Sequence, residues 1–328
     1  MRLRLATAAF FASLACGALT IGTQWRRPPL PASLSGITWA GGNRYYAVSD
    51  DVFTTEVGLY PLTVELSSNG LEVASCSIAQ PTNRIPLAAA YDLEDVVFDA
   101  ANGTVWAVDE TRSTVKEYRL SDGAAVRTLQ LPDFLRKARP NLGLESLALS
   151  GDGLTLWTCT EEALSCDGPR SSPSIGTTVR LLKFTRQTVH GDFTFADTLP
   201  YTTDVWSQPC DFKGKGRRGV SGLCVLPDGS LLVLERELSF GGRTSWNAVS
   251  TARLSFAIYH VDAAKGTGKV KLASAGGRVF VFGNYEGICL GPRLPDGRLS
   301  VLLVSDAGDG VSPPCILPLV FSLTRRTT

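Results

Sequence analysis

Five times in 328 residues, an apolar run passes through a glycine-containing turn into a second apolar run that ends on an acidic residue. The clearest copy is Asn284–Asp306. Glu286-Gly287 opens it, Asp296-Gly297 turns it, and Leu299–Val304 returns to Asp306. An Asp-Gly pair between apolar runs supplies the positive φ angles of a tight hairpin turn. The other copies open at Ser35-Gly36, Glu94-Asp95, Glu145-Ser146 and Ser221-Gly222. They turn at Gly42-Asn43, Asn102-Gly103, Asp152-Gly153 and Asp228-Gly229, and end at Asp50-Asp51, Asp109-Glu110, Glu161-Glu162 and Glu235-Arg236.

Further strand-like runs follow each hairpin. They are Leu59–Leu66 and Leu71–Ile78, then Val115–Leu120 and Val126–Leu131, then Val179–Phe184 and Phe193–Leu199, then Ser255–Val261 and Lys269–Ala273. The fifth hairpin is followed by Ile316–Leu323 alone, and the N-terminal run Ile21–Trp25 can supply its missing strand. Four-stranded units repeated along a chain predict an all-β fold, a β-propeller of five blades closed by an N-terminal strand. The units are longer than the common blade of about 40–45 residues. Six blades with one disguised, or a two-sheet sandwich, are the alternatives.

Hairpin register makes the acids converge. Counted from two-residue turns, Glu286 faces position 307 beside Asp306, Glu94 faces 111 beside Glu110, and Glu145 faces 160 beside Glu161. Ser221 faces Arg236 beside Glu235, and Ser35 faces Asp50. Innermost strands line a propeller's channel, so all five open ends meet at one mouth. The expectation is a ring of Asp50, Glu94, Glu110, Glu145, Glu161, Glu235, Glu286 and Asp306, with Arg236 among them. Gly36, Gly222 and Gly287 suit strands crowded at an axis. The plain competing reading is that strand ends are wet and therefore often acidic.

The net charge is +1, with both signs spread along the chain, and no block of charge points to nucleic acid. Residues 1–18 read as an export signal: Arg2 and Arg4, the apolar stretch Ala6–Ala15, then small residues. Residues 19–31 read as a linker with the closing strand, 32–323 as the propeller and 324–328 as a tail. No later stretch is long and apolar enough to span a bilayer. The expected location is secreted or periplasmic, with lipid anchoring through Cys16 as an alternative. Eight cysteines in an exported chain suggest disulfides, with Cys159–Cys166 first and Cys210–Cys224 second. Cys224 and Cys289 lie in apolar runs and also read as buried apolar residues.

A crowded ring of acids is unfavourable unless protons or cations offset the repulsion. Oxygen ligands in number, with almost no imidazole, favour calcium over zinc. Asp50, Glu94, Glu110, Glu161, Glu286 and Asp306 are the candidate metal ligands. Glu235, Arg236 and Glu145 are the candidate catalytic groups, with Arg236 placed either to clamp a phosphate oxygen or to pair with an acid. His190 and His260 read as turn and strand-end residues. No G-x-S-x-G elbow surrounds Ser221, and no phosphate-binding glycine loop is present. The basic Gly214–Arg218 segment reads as an exposed loop.

Leu34-Ser35-Gly36-Ile37 with Ser49-Asp50-Asp51, Asp92-Leu93-Glu94, Asn141–Glu145, Leu232–Arg236, and Asn284–Ile288 with Val304-Ser305-Asp306 resemble the phytase-like family, the esterase-like domain of phytase. The resemblance spans Pro31 to Phe321. It implies a secreted bacterial β-propeller grouped with phosphoester or ester hydrolases. Asp95 and Ser146 stand where the family usually has glycine after the glutamate, which bears on how open the mouth is. The expected activity is calcium-assisted hydrolysis of a small anionic or ester substrate by a monomer. The alternatives are a non-catalytic binding propeller with structural cations and a lactonase-like calcium enzyme.

Overall fold

The computed structural model describes residues 18–26, 33–50, 57–78, 84–207, 216–240, 251–264, 266, 268–307 and 312–322. The proposed signal, residues 1–17 of it, and Cys210 lie outside them, as does the tail.

The strands form five antiparallel sheets. Blade one holds β3 (Leu34–Trp39), β4 (Arg44–Ser49), β5 (Gly58–Leu66) and β6 (Val73–Ile78). Blade two holds β7 (Leu93–Asp99), β8 (Thr104–Asp109), β9 (Thr114–Arg119) and β10 (Ala125–Thr128). Blade three holds β11 (Leu144–Leu149), β12 (Thr155–Thr160), β13 (Thr178–Thr185) and β14 (Thr194–Thr202). Blade four holds β15 (Arg217–Val225), β16 (Leu231–Ser239), β17 (Arg253–Val261) and β18 (Lys269–Arg278). Blade five holds β19 (Asn284–Arg293), β20 (Leu299–Asp306) and β21 (Cys315–Ser322), and the N-terminal β1 (Ala18–Ile21) and β2 (Trp25–Arg26) pair with β21. The innermost strands touch in the order β3, β7, β11, β15, β19 and back to β3. This is a closed five-bladed β-propeller.

Burial explains why the strands read so clearly. The second strand of each blade is covered on both faces, so β8 and β20 are largely apolar and buried, and β16 is buried although Glu235, Arg236 and Glu237 follow its apolar run. Outer strands such as β6 and β14 are largely exposed and polar. The core is divided by interface. Leu234, Phe256, Ile288 and Leu303 pack between blades four and five. Val97, Trp106, Leu147 and Phe184 join blades two and three. Trp157, Leu181, Leu223 and Val233 join three and four. Leu34, Tyr60, Cys289 and Leu302 join five and one, and Leu59, Leu93, Val105 and Tyr118 join one and two. Every neighbouring pair thus has its own apolar seam, each fully buried Leu or Val contributing about 1.5–3 kcal/mol.

Ring closure falls to β1. Ala18 pairs with Ser322 and Ile21 with Leu319, so the two ends of the chain share one sheet. Gly22 follows at a tight spot, where a Cβ would sit 2.2 Å from the Leu71 carbonyl oxygen.

The turns differ from the two-residue expectation. Leu294 and Arg298 close the last hairpin by a backbone bond, leaving Pro295, Asp296 and Gly297 in the loop. Gly103, Gly153, Gly229 and Gly297 do hold the left-handed conformation, but each closes a loop longer than two residues. A second departure recurs in all five blades. The register of the innermost strand slips by one residue at Ser35, Glu94, Glu145, Ser221 and Glu286. Each is a β-bulge, an extra residue that bends the strand and re-aims its side chain.

The expected Cys159–Cys166 disulfide is not formed. Cys159 is buried with its thiol 3.2 Å from Ser146 Oγ, and Cys166 is an exposed free thiol. No described cysteine is bridged, and Cys224 and Cys289 are buried. The basic loop is corrected too: Arg217 and Arg218 open β15, and Arg218 is buried. Among the described residues, no helix is long and apolar enough to cross a membrane.

Candidate cation site at the channel mouth

The five bulged residues occupy one layer around the axis. They are three glutamates, Glu94, Glu145 and Glu286, and two serines, Ser35 and Ser221. The residues just before them face Ser49, Asp109, Thr160, Glu235 and Ser305. The next residue in each second strand is Asp50, Glu110, Glu161, Arg236 and Asp306. The bulge therefore shifts the partners expected from turn counting: Asn284 faces Asp306, which places Glu286 out of line with position 307, and Gly219 rather than Ser221 faces Arg236.

The ring is electrostatically two-sided. On the side of blades one to three, carboxylate oxygens of Asp50, Asp92 and Glu94 lie within 4.8 Å of one another. Those of Glu94, Glu110 and Glu145 do the same, so Glu94 belongs to both groups. Glu145 is 6% exposed and accepts no hydrogen bond among the described residues; its nearest cation, Arg236 Nη2, is 3.9 Å away. One oxygen of Asp50 is likewise buried without a hydrogen bond. Burial, then the neighbouring acids, holds the carboxyls of Glu94 and Glu145 well above the usual range. Asp50 is pushed up to about 7 by burial and by Asp306. Glu110 reaches about 7 by burial, although the Gly143 N–H donates to it.

On the opposite side, Arg236 neutralises the ring. Its guanidinium donates to Glu161 Oε1 at 2.6 Å and to Glu286, which also accepts from Asn284 Nδ2 at 2.9 Å. Arg217 Nη1 adds a bond to Glu161 at 3.2 Å. Burial opposes ionisation of Glu161, but Arg236 and Arg217 prevail and hold its carboxyl below the usual range.

Beneath the ring lies a layer of Gly36, Asp95, Ser146, Gly222 and Gly287, the residues after each bulge. A Cβ on Gly36 would sit 2.5 Å from the Asp95 Cα. Asp95 accepts from its own neighbour Val96 N at 2.8 Å and from Leu147 N of the next blade at 2.7 Å. The acid in a glycine position thus ties two innermost strands together.

A family model described as "Phytase-like: Esterase-like activity of phytase" matches residues 31–307. The chain belongs to the phytase-like family. No curated protein matches the sequence. Solved structures share its architecture only distantly. One is a nidogen/laminin complex, 11% identical, with 84% of this chain and 78% of that one aligned at a TM-score of 0.40. Another is a 6-phosphogluconolactonase candidate from Bacteroides uniformis, 15% identical, with 88% of each chain aligned at 0.39. A third, a Lactobacillus plantarum protein, is 12% identical with 88% of each chain aligned at 0.35.

In this phytase-like chain the structure gathers Asp50, Glu94, Glu110, Glu145, Glu161, Arg236, Glu286 and Asp306 at one mouth. It does not bring Glu235 there. Adjacent strand residues point to opposite faces, so once Arg236 enters the ring Glu235 leaves it. Glu235 is fully buried and accepts from Arg218 Nε, Lys269 Nζ and Tyr201 Oη at 2.6, 2.7 and 2.6 Å. Glu237 and Asp204 extend this ionic cluster, through Arg218 Nη1 at 2.8 Å and through Lys269 and Lys271 at 2.8 Å each. Sequence reasoning passed over Asp92, Asn284 and Arg217. Asp92 precedes β7 in a loop that hairpin counting ignores, and it is held by Thr111 Oγ1 at 2.6 Å. Neither histidine is near the ring's bonds: His190 contacts Asn102 and His260 contacts Ser230.

Proposed function

We propose that this phytase-like propeller is an exported, calcium-assisted hydrolase of phosphoesters or esters. Asp50, Asp92, Glu94, Glu110 and Glu145 would hold the cation, with Asp306 at the edge of the same mouth. The single observation that carries this is the pair of oxygen clusters sharing Glu94, with the buried Glu145 lacking any hydrogen-bond donor among the described residues. Hard carboxylate oxygens in that number suit calcium. A bound divalent cation would polarise a phosphoryl or acyl oxygen and acidify a water. The chain's own residues set the stage for it. Arg236 pairs with Glu161 and Glu286 on one side, which leaves the carboxyls without a close cation on the other. Without a cation, burial and mutual repulsion favour the protonated forms of Glu94 and Glu145.

A second reading has one observation in its favour. Arg236, the ring's central cation, commits both terminal nitrogens to Glu161 and Glu286, and its Nε is buried, so it presents no exposed clamp for an anionic substrate. That arrangement suits a propeller that binds a ligand at a cation-braced mouth without chemistry.

Hydrolysis of a generic phosphomonoester and a carboxylester, with calcium and with chelator, decides between them. The hydrolase reading expects turnover that chelator abolishes and that Glu94→Gln lowers at least about a hundredfold. Calcium binding without turnover of either class supports the binding reading.

A further inference from the structure

The channel has a second end, and its chemistry is the reverse of the acid ring's. There the innermost strands run into their hairpin turns and wall a cavity of about 560 Å³. Ile37, Val97, Leu147, Leu223 and Ile288 line it, one from each innermost strand, and Trp39 stands at its lip, 36% exposed. The volume falls in the roughly 300–1,000 Å³ range of small-molecule sites, which are walled by apolar groups with few polar ones. Two thiols complete the wall. Burial pushes Cys224 up to about 12 and holds Cys289 well above the usual thiol range, so both are neutral and apolar in character.

Three charged side chains reach this lining, and Arg293 is the one cation among them. Asp99 is buried and paired with Arg186 at 2.8 Å. Asp152 is occupied within its own turn by Ser150 Oγ at 2.5 Å and Leu154 N at 2.9 Å. Arg293 Nη1 donates to the Gly297 carbonyl at 2.6 Å, and no acid pairs with Arg293 among the described residues. Asp152 keeps its donors within its own turn, whereas Arg293 brings a guanidinium with no acid on it to the rim of an apolar cup, which is complementary to an apolar body carrying one negative charge.

We infer that this cup binds a small amphipathic carboxylic acid, with its apolar tail inside the channel and its carboxylate on Arg293. The inference is independent of the hydrolase reading, because the acid ring sits at the opposite ends of the same strands.

Octanoate is the probe and 1-octanol its uncharged counterpart. Calorimetry is expected to show saturable octanoate binding, with a change in tryptophan emission that Trp39→Phe removes. Arg293→Gln should weaken octanoate about tenfold and leave octanol unchanged, since one charge-assisted contact is lost. Leu290→Asp, a half-buried lining position, should abolish binding of both. Unaltered calcium titration and thermal melting of Arg293→Gln show that the fold and the acid mouth are intact. Failure of octanoate to bind the wild-type chain overturns the inference, as does binding indifferent to Arg293→Gln or tighter for octanol.

Discussion

Glu145 shows most directly what the mouth costs and what relieves it. A nearly buried carboxylate without a hydrogen-bond donor beside Glu94 and Glu110 is destabilising when ionised. In chelator, Glu145→Gln should therefore raise the melting temperature by a few degrees, since about 1 kcal/mol shifts a chain of this size by about 2–4 °C. The same reasoning fixes a pH dependence. Asp50 and Glu110 have folded-state values raised to about 7, so the folded chain binds more protons than the unfolded one between the ordinary carboxylate range and about pH 7. Stability is then highest at the acidic end of that window and falls as pH rises through it. Denaturant melts from about pH 4.5 to 7.5 in chelator should show this fall, and calcium should flatten it. Arg236 acts in the opposite sense. Arg236→Met would leave Glu161 and Glu286 buried without their cation, a loss of about 3–5 kcal/mol, readable in the same melts.

At the scale of elements, the strands were legible and the bulges were not. Apolar runs in β16 and β20 are buried on both faces, and burial of that kind writes itself directly into residue type. A bulge is an insertion without a preferred residue: its five sites hold serine twice and glutamate three times. Turn counting places the acids at the right end of each hairpin yet assigns the wrong partners, and at β16 it puts both Glu235 and Arg236 in the ring where the strand turns only Arg236 inward. Arg217 and Arg218 were misread because a basic, glycine-flanked stretch resembles a loop, whereas buried Glu235 and Glu237 make it a strand. A closing strand was legible because the fifth unit lacks one, but its main part lies at Ala18–Ile21 rather than across Ile21–Trp25. Removing residues 18–26 should expose the edge of β21, lower the melting temperature by more than about 5 °C and promote self-association through that edge.

For the whole molecule, five apolar seams hold neighbouring blades together around the axis, and the axis takes what the blades present to it. Three bulged glutamates and the acids beside them converge because every blade ends the same way. Arg236 breaks that symmetry and concentrates the unbalanced charge on blades one to three. Fold and family were legible in the sequence because both rest on repetition. The asymmetry was not, since it depends on which of two adjacent residues, Glu235 or Arg236, turns inward.

The central claim is that the unbalanced half of the ring is a divalent-cation site. Calcium titration by calorimetry on chelator-stripped protein at neutral pH tests it most directly, with Glu94→Gln and Glu145→Gln beside the wild-type chain. Saturable binding to the wild type, weakened at least about tenfold in each variant, is the predicted result. No binding to the wild type, or equal binding to all three, would contradict it.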